Sequence, residues 1–204
     1  MPRSLDVKNY SDPLYTYVHR YTQLRKEELN QVLPFLEIRL FEKKEMILEA
    51  GQIENYLNIV VKGMARKYIV QGDKKREITL QLATEGHFIH SEISFSTRMP
   101  SELCVQAVEQ TILIRIENNN ADRVLRNFHW AETVGRLLTV HLVASKERRL
   151  YDLRMKSPKQ RLQEMAVHQP NFLRRVPQNI LATWLNIKPE TLSRLKKTLR
   201  EKSV

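Results

Sequence analysis

The sequence predicts an α+β fold: a β-rich N-terminal domain, one long connecting helix and a small helical C-terminal domain. Three observations carry this. Short β-rich runs separated by glycine turns fill the chain from Phe35 to about Ile116. A helical pattern with apolar residues stepping by four and three then runs from Trp130 to about Lys156. Two short apolar-striped segments flank Asn186 near the end. The expected domains are 1–127, a β domain; 128–156, the connecting helix; and 157–204, a helix-turn-helix domain.

Residues 12–33 read as helix, with Leu14, Tyr17, Val18 and Tyr21 and then Leu24, Leu29, Val32 and Leu33 at helical spacing. Pro34 ends that pattern. The β-rich runs are IRLF, MILEAG, YLNIVVKG, MARKYIVQGD, EITLQLATEG and LCVQAVEQTILIRI. Glycines at 51, 63, 72 and 86 punctuate them at the spacing of a barrel or sandwich. Gln71-Gly72-Asp73 between two apolar runs is a hairpin signal. Cys104 reads as a buried strand residue; as the only cysteine it forms no internal disulfide and argues against an iron–sulfur cluster.

Asp122 to Phe128 reads as a short helix. In the long helix that follows, Trp130, Val134, Leu137, His141 and Ala144, then Arg148, Tyr151 and Met155, form a seam that fades toward its basic end. Such a seam calls for a second helix, and a parallel homodimer is expected. Ser157-Pro158 restarts a helix, serine as N-cap and proline in the first turn. Pro170 is expected to stop it near His168, and Arg174 to Pro177 reads as an extended link.

Gln178 to Leu185 then makes a helix with Ile180, Leu181, Trp184 and Leu185 inward and the small Ala182 where a second helix crosses. Asn186 sits at the turn, since asparagine tolerates the left-handed backbone. Pro189 opens a second helix with Leu192, Leu195 and Leu199 buried. Its other face presents Glu190, Ser193 and Arg194 near the end that meets base edges in a recognition helix. Arginine pairs twice with guanine O6 and N7, and glutamate accepts from cytosine N4. Lys188, Lys196, Lys197 and Arg200 are expected at phosphates, which position the protein without reading sequence.

Charge supports the same partner. The net charge is +11, and Lys146 to Val204 holds 15 Lys/Arg against 5 Asp/Glu, so nearly all the excess lies in the last quarter. That asymmetry points to a polyanion, with double-stranded DNA the leading candidate. No run of about 18 apolar residues exists, and the N-terminus lacks a signal-peptide core, so a cytoplasmic protein with no membrane partner is expected. No P-loop, HExxH or GxSxG occurs, so no catalytic residues are assigned and no enzyme is expected. His87 and His90 read as polar strand or loop residues rather than metal ligands, and no metal site is assigned.

The order of parts resembles the Crp/Fnr family of bacterial transcription regulators. ILEAGQIENYLNIVVKGMARKYIV is similar to that family's β-roll signature, with Gly51 and Gly63 at its turn positions, and KPETLSRLKK is similar to its recognition helix. The resemblance implies a jelly-roll-like double-stranded β-roll sensor, a dimerisation helix and a winged-helix-like domain, here with a reduced wing. It implies Glu190 and Arg194 as base contacts, with one contact missing because Pro189 replaces a common arginine, and RNA polymerase as a candidate partner. The effector cassette of cyclic-nucleotide-binding members corresponds to GHFIHSEISFSTRMPSELCVQA. Glu92 matches the glutamate that holds the ribose. The arginine that holds the cyclic phosphate falls on Ser101, beside Glu102; Arg98 is the nearest substitute, and Ser145 on the long helix is a further pocket candidate. The serine disfavours a cyclic nucleotide, and no other cofactor is implied. The alternative is a small-molecule-sensing roll whose basic tail contacts a protein or an anionic surface.

Overall fold

The computed structural model describes residues 3–19, 25–72 and 76–201. Two compact units divide the chain: Met1–Tyr68 with Gln81–Leu142, and Ile69–Leu80 with Val143–Val204.

The strands form two four-stranded sheets, of which all but Ile69–Leu80 belongs to the first unit. One has the order β1 (Arg3–Leu5), β2 (Leu36–Phe41), β8 (Thr111–Glu117), β4 (Tyr56–Lys62). The other has the order β3 (Met46–Leu48), β7 (Cys104–Ala107), β5 (Ala65–Gln71), β6 (Arg76–Ala83). Side chains alternate across each strand, so the register decides which residues share a face. Ile38 pairs with Ile114, and both face a layer of Leu14, Val18, Leu29 and Val134. One residue along, Leu113 pairs with Val60 and points the opposite way, into a core with Phe41, Ala65, Val105 and Ala107. The roll interior therefore lies between the sheets, with helices on the outer face of one of them.

Gly63 makes the β4–β5 turn at φ +97°, and a Cβ there would lie 2.3 Å from the Gln110 carbonyl oxygen. Only glycine fits such a position. The predicted β runs all form strands, and β1 joins them from a segment too short to carry a period. Asp73 of the expected hairpin turn lies outside the described residues, between β5 and β6.

The helical part differs from the sequence reading in several places. The segment expected as one helix over 12–33 is two, α1 (Ser11–His19) and α2 (Lys26–Asn30), followed by a 3-10 turn at Leu33–Phe35. Tyr21 and Leu24 and the side chain of Tyr17 lie outside the described residues. A short helix, α3 (Glu92–Thr97), sits within the effector-like cassette, and α4 (Asn118–Asn127) starts four residues earlier than expected. The long helix α5 (His129–Met155) runs 27 residues, about 40 Å. Its first turns are used by its own roll: Val134 is buried, and Trp130 packs on the same cores.

In the second unit, Ser157 caps α6 (Pro158–His168) through a reciprocal pair: its hydroxyl accepts from Gln160 N, and Gln160 Oε1 accepts from Ser157 N at 2.8 Å. Pro170 both ends that helix and begins another, α7 (Pro170–Arg175), so the expected extended link shrinks to Val176 and Pro177. Proline is excluded from helix interiors but suits a first turn, which reconciles the two roles. The last two helices are α8 (Gln178–Trp184) and α9 (Pro189–Glu201). Leu162, Leu181, Ala182, Leu185 and Leu192 are almost fully buried and make this unit's core. Asn186 takes the left-handed conformation at φ 54° between the last two helices.

Candidate functional site

Two sets of residues are candidates, one in each unit. The first lies inside the roll. Strand parity that places Ala65 inward also places Lys67 inward, and the register that opposes Val60 to Leu113 opposes Asn58 to Arg115. One end of an otherwise apolar interior thus carries charge. Buried charges require partners, and each of these has them. Arg115 Nε donates to Asn58 Oδ1 at 2.8 Å, and its guanidinium lies 3.7 Å from the Tyr56 ring centre. Burial lowers the Arg115 pKa, while Tyr56 and Glu54 pull it back up. Glu54 is buried on the loop before β4 and accepts from the amides of Tyr56 and Ser91 at 3.0 and 3.2 Å. Burial is the main influence on its carboxyl and raises the pKa against those bonds and the charges of Arg115 and Lys67.

Lys67 is the centre of the set. Its ammonium donates to both carboxylate oxygens of Glu92, at 2.7 and 2.6 Å, and to the carbonyl of His90 at 2.9 Å. The lysine side chain is 5% exposed and the glutamate 22%. Burial pushes the Glu92 carboxyl up, but the Lys67 charge and hydrogen bonds pull harder and hold it at about 2.

The other cassette candidates are equally engaged. Ser101 is buried; its hydroxyl lies 2.9 Å from Ser91 Oγ and 3.0 Å from Leu103 O, one of which takes its proton, and it accepts from Leu103 N. Arg98 sits in the left-handed conformation after α3, and its guanidinium donates to Glu54 O, Phe95 O and Asn55 Oδ1. His90 is buried against the Phe88 and Phe95 rings, His87 is exposed near Thr84, and Cys104 is buried on β7. Ser145 is exposed on α5 in the other unit. A surface hollow of about 450 Å³ is lined by Arg3, Leu40, Glu42, Lys43, Lys44 and Glu45, none of them a site candidate.

Sequence reasoning missed Lys67, Arg115, Asn58 and Glu54. A signal existed for Lys67: in the run ARKYIV it shares inward parity with Ala65, an uncommon place for a lysine.

The second set belongs to α8 and α9. Glu190, Ser193, Arg194 and Lys197 are exposed along one side of α9, and Lys188 is exposed just before it. Lys196 is half-buried, and the Arg200 side chain lies outside the described residues. The opposite side of α9 seats Leu192 in the core. This helix pair is fixed from behind by two arginines. Arg161, 7% exposed, donates to Leu185 O at 2.7 Å and to the carbonyls of Asp152, Leu153 and Lys156. Arg149 lies 3.4 Å from the Trp184 ring centre and donates to Trp184 O. Burial, then the neighbouring Arg161 charge, brings the Arg149 pKa down to about 10. Within the same unit, Thr79 on the β5–β6 hairpin shares a 2.8 Å hydrogen bond with Thr183 on α8.

The comparisons with known proteins agree with the roll. Residues 38–128 match the cyclic nucleotide-binding domain family. The matched stretch holds Asn58, Lys67, Glu92, Arg98, Ser101 and Arg115, so both the cassette and its internal charges fall within the matched residues. Among curated proteins, no sequence matches the chain. Among solved structures it is similar to the c-di-GMP responsive global regulator CLP of Xanthomonas campestris (16% identity, 88% of this chain and 93% of that one, TM-score 0.69). It is also similar to FixK2 of Bradyrhizobium japonicum (16% identity, 83% and 86%, TM-score 0.66) and to the catabolite activator protein of Thermus thermophilus (21%, 94% and 88%, TM-score 0.55). At these identities the likeness is one of fold. Among the described residues no helix is long and apolar enough to cross a membrane.

A cyclic nucleotide needs a cation or hydroxyl donors for its phosphate and a free acceptor for its ribose. In the matched region, Glu92 has both oxygens on Lys67, the Arg98 donors reach protein oxygens and Ser101 is bonded within the protein. As arranged, these residues do not fit the ligand.

Proposed function

We propose that the chain is a homodimeric, sequence-specific DNA-binding transcription regulator whose β-roll governs the affinity of the C-terminal helices for DNA. The observation that carries this is the helix pair α8–α9. A left-handed Asn186 joins the two helices, Leu192 anchors the second, and its other side presents Glu190, Ser193, Arg194 and Lys197 to solvent. That side has the chemistry of major-groove reading at its N-terminal end and of phosphate binding beyond it. The concentration of the chain's positive charge in this region supports the same reading.

Self-association is proposed along α5. Beyond the turns used by the roll, Val140, Val143, Leu150, Tyr151 and Met155 are each more than half exposed, and Ala144 is exposed beside them. An apolar stripe of this length at helical spacing is suited to a second copy. In that dimer the two α9 helices meet one palindromic duplex, half-sites about 34 Å apart. RNA polymerase is the partner through which such a regulator acts.

Selection of bound duplexes from a random-sequence pool, with the dimer mass checked by sedimentation, tests the proposal. An enriched palindrome with half-sites about one helical turn apart supports it. Binding that ignores sequence, or a monomer at micromolar concentration, overturns it.

A further inference from the structure

The geometry points to a roll that carries its own ligand: the Lys67 ammonium takes the place beside Glu92 that an effector would need, so the DNA-competent state is set without a cyclic nucleotide. This inference rests on the regulatory reading above and names the regulation of that same roll.

Three observations carry it. First, Lys67 is placed by strand parity, not by surface chance. It projects inward from β5 with Ala65 and crosses to α3, where it meets both Glu92 oxygens and the His90 carbonyl, satisfying all three of its donors. Second, the polar groups around it are closed on one another. Ser101 holds Ser91, Ser91 N donates to Glu54, Glu54 N donates to Ser94 Oγ, and Arg98 holds the Glu54 carbonyl. An entering phosphate or ribose must break these bonds and expose buried charge, whereas the internal cation leaves each partner satisfied. Third, Arg98, the arginine nearest in sequence to Ser101, serves the loop before β4 instead.

The test uses the full chain and chemical rescue. Lys67→Ala removes three methylene groups and the ammonium, and n-propylammonium is that fragment. Lys67→Ala should lower Tm by about 5 °C and weaken binding to the selected duplex by about tenfold. Millimolar n-propylammonium should recover at least half of both losses, and 1-propanol of the same length should recover neither. Cyclic AMP should leave wild-type Tm and DNA affinity unchanged.

If Lys67→Ala does not fold, Lys67→Met keeps the volume and drops the charge, and it should show the same loss of DNA affinity. Wild-type DNA affinity in Lys67→Met, equal rescue by 1-propanol, or a cyclic-AMP-dependent rise in wild-type Tm overturns the inference. Failure of the wild type to select any duplex overturns the regulatory reading; the propylammonium effect on Tm then still decides whether Lys67 is the internal ligand.

Discussion

The Lys67 ammonium grips both carboxylate oxygens of Glu92 across the roll interior, at 2.6 and 2.7 Å. This pairing makes the stability of the roll depend on acid pH in a defined direction. Glu92 is held at about 2, below its ordinary 4.5. A carboxyl depressed by folding contributes stability that is complete above its unfolded pKa and fades as pH falls through the folded one. The contribution, on the order of 3 kcal/mol, should therefore be lost between about pH 4.5 and pH 2. Glu54, raised by burial, has the opposite sign and partly offsets that loss as it takes up its proton. Urea unfolding of wild type and Glu92→Gln from pH 7 to pH 3 checks this: the variant should be weaker at pH 7, with the gap narrowing as pH falls.

Arg161 is expected to be the most sensitive single position in the C-terminal unit. It satisfies carbonyls at the end of α5 and at the end of α8 together. Removing it takes the arginine donor from the buried Leu185 carbonyl and from part-buried carbonyls at the end of α5, and a buried acceptor left unpaired costs about 1–3 kcal/mol. Arg161→Met should cost roughly 3 kcal/mol, and Arg161→Lys should recover little, because an ammonium lacks the planar fork that reaches both sets. Thermal unfolding followed at 222 nm measures both. Near-wild-type stability of the lysine variant would show that charge, not the fork, matters.

Asn186 tests the turn between the last two helices. At φ 54° it stands where only glycine, asparagine and aspartate are comfortable. Asn186→Gly should fall within a few tenths of a kcal/mol of wild type, while Asn186→Val should lose about 1–2 kcal/mol. Equal stabilities in denaturant titration would contradict the assigned backbone.

On the proposed function, variants of Arg194 and Lys197 should separate reading from positioning. Both are exposed on α9, three residues apart. Arg194→Ala should flatten the preference at one base pair in each half-site, a loss of about 1–3 kcal/mol of discrimination. Lys197→Ala should weaken all duplexes alike and lower the slope of log affinity against log salt by about one. Fluorescence anisotropy on matched and mutated duplexes over a salt series distinguishes them.

Much of the fold was legible because its signals are local. The turn glycines announced the strands, Ser157-Pro158 announced α6, and the asparagine between two apolar stripes announced the α8–α9 turn. What escaped depends on contacts distant in sequence. A lysine in a strand reads as solvent-facing until register and α3 give it a half-buried carboxylate 25 residues away. The heptad-like spacing from Trp130 onward gave no sign that Trp130 and Val134 are spent on the roll, because one apolar face of a helix looks the same whatever covers it. Pro170 was misleading for a different reason: one residue ends a helix and starts the next, and periodicity shows only the first act.

The strand hairpin Ile69–Leu80 is drawn from the middle of the roll's sequence, yet it clusters with the helices that begin at Val143. The second unit is therefore discontinuous in sequence. Transplanting the last 62 residues onto another roll would leave behind the strand residue that Thr183 leans on. A functional graft would have to carry both pieces together, and recombination at a single cut near the middle of α5 should yield chimeras with a weakened tail.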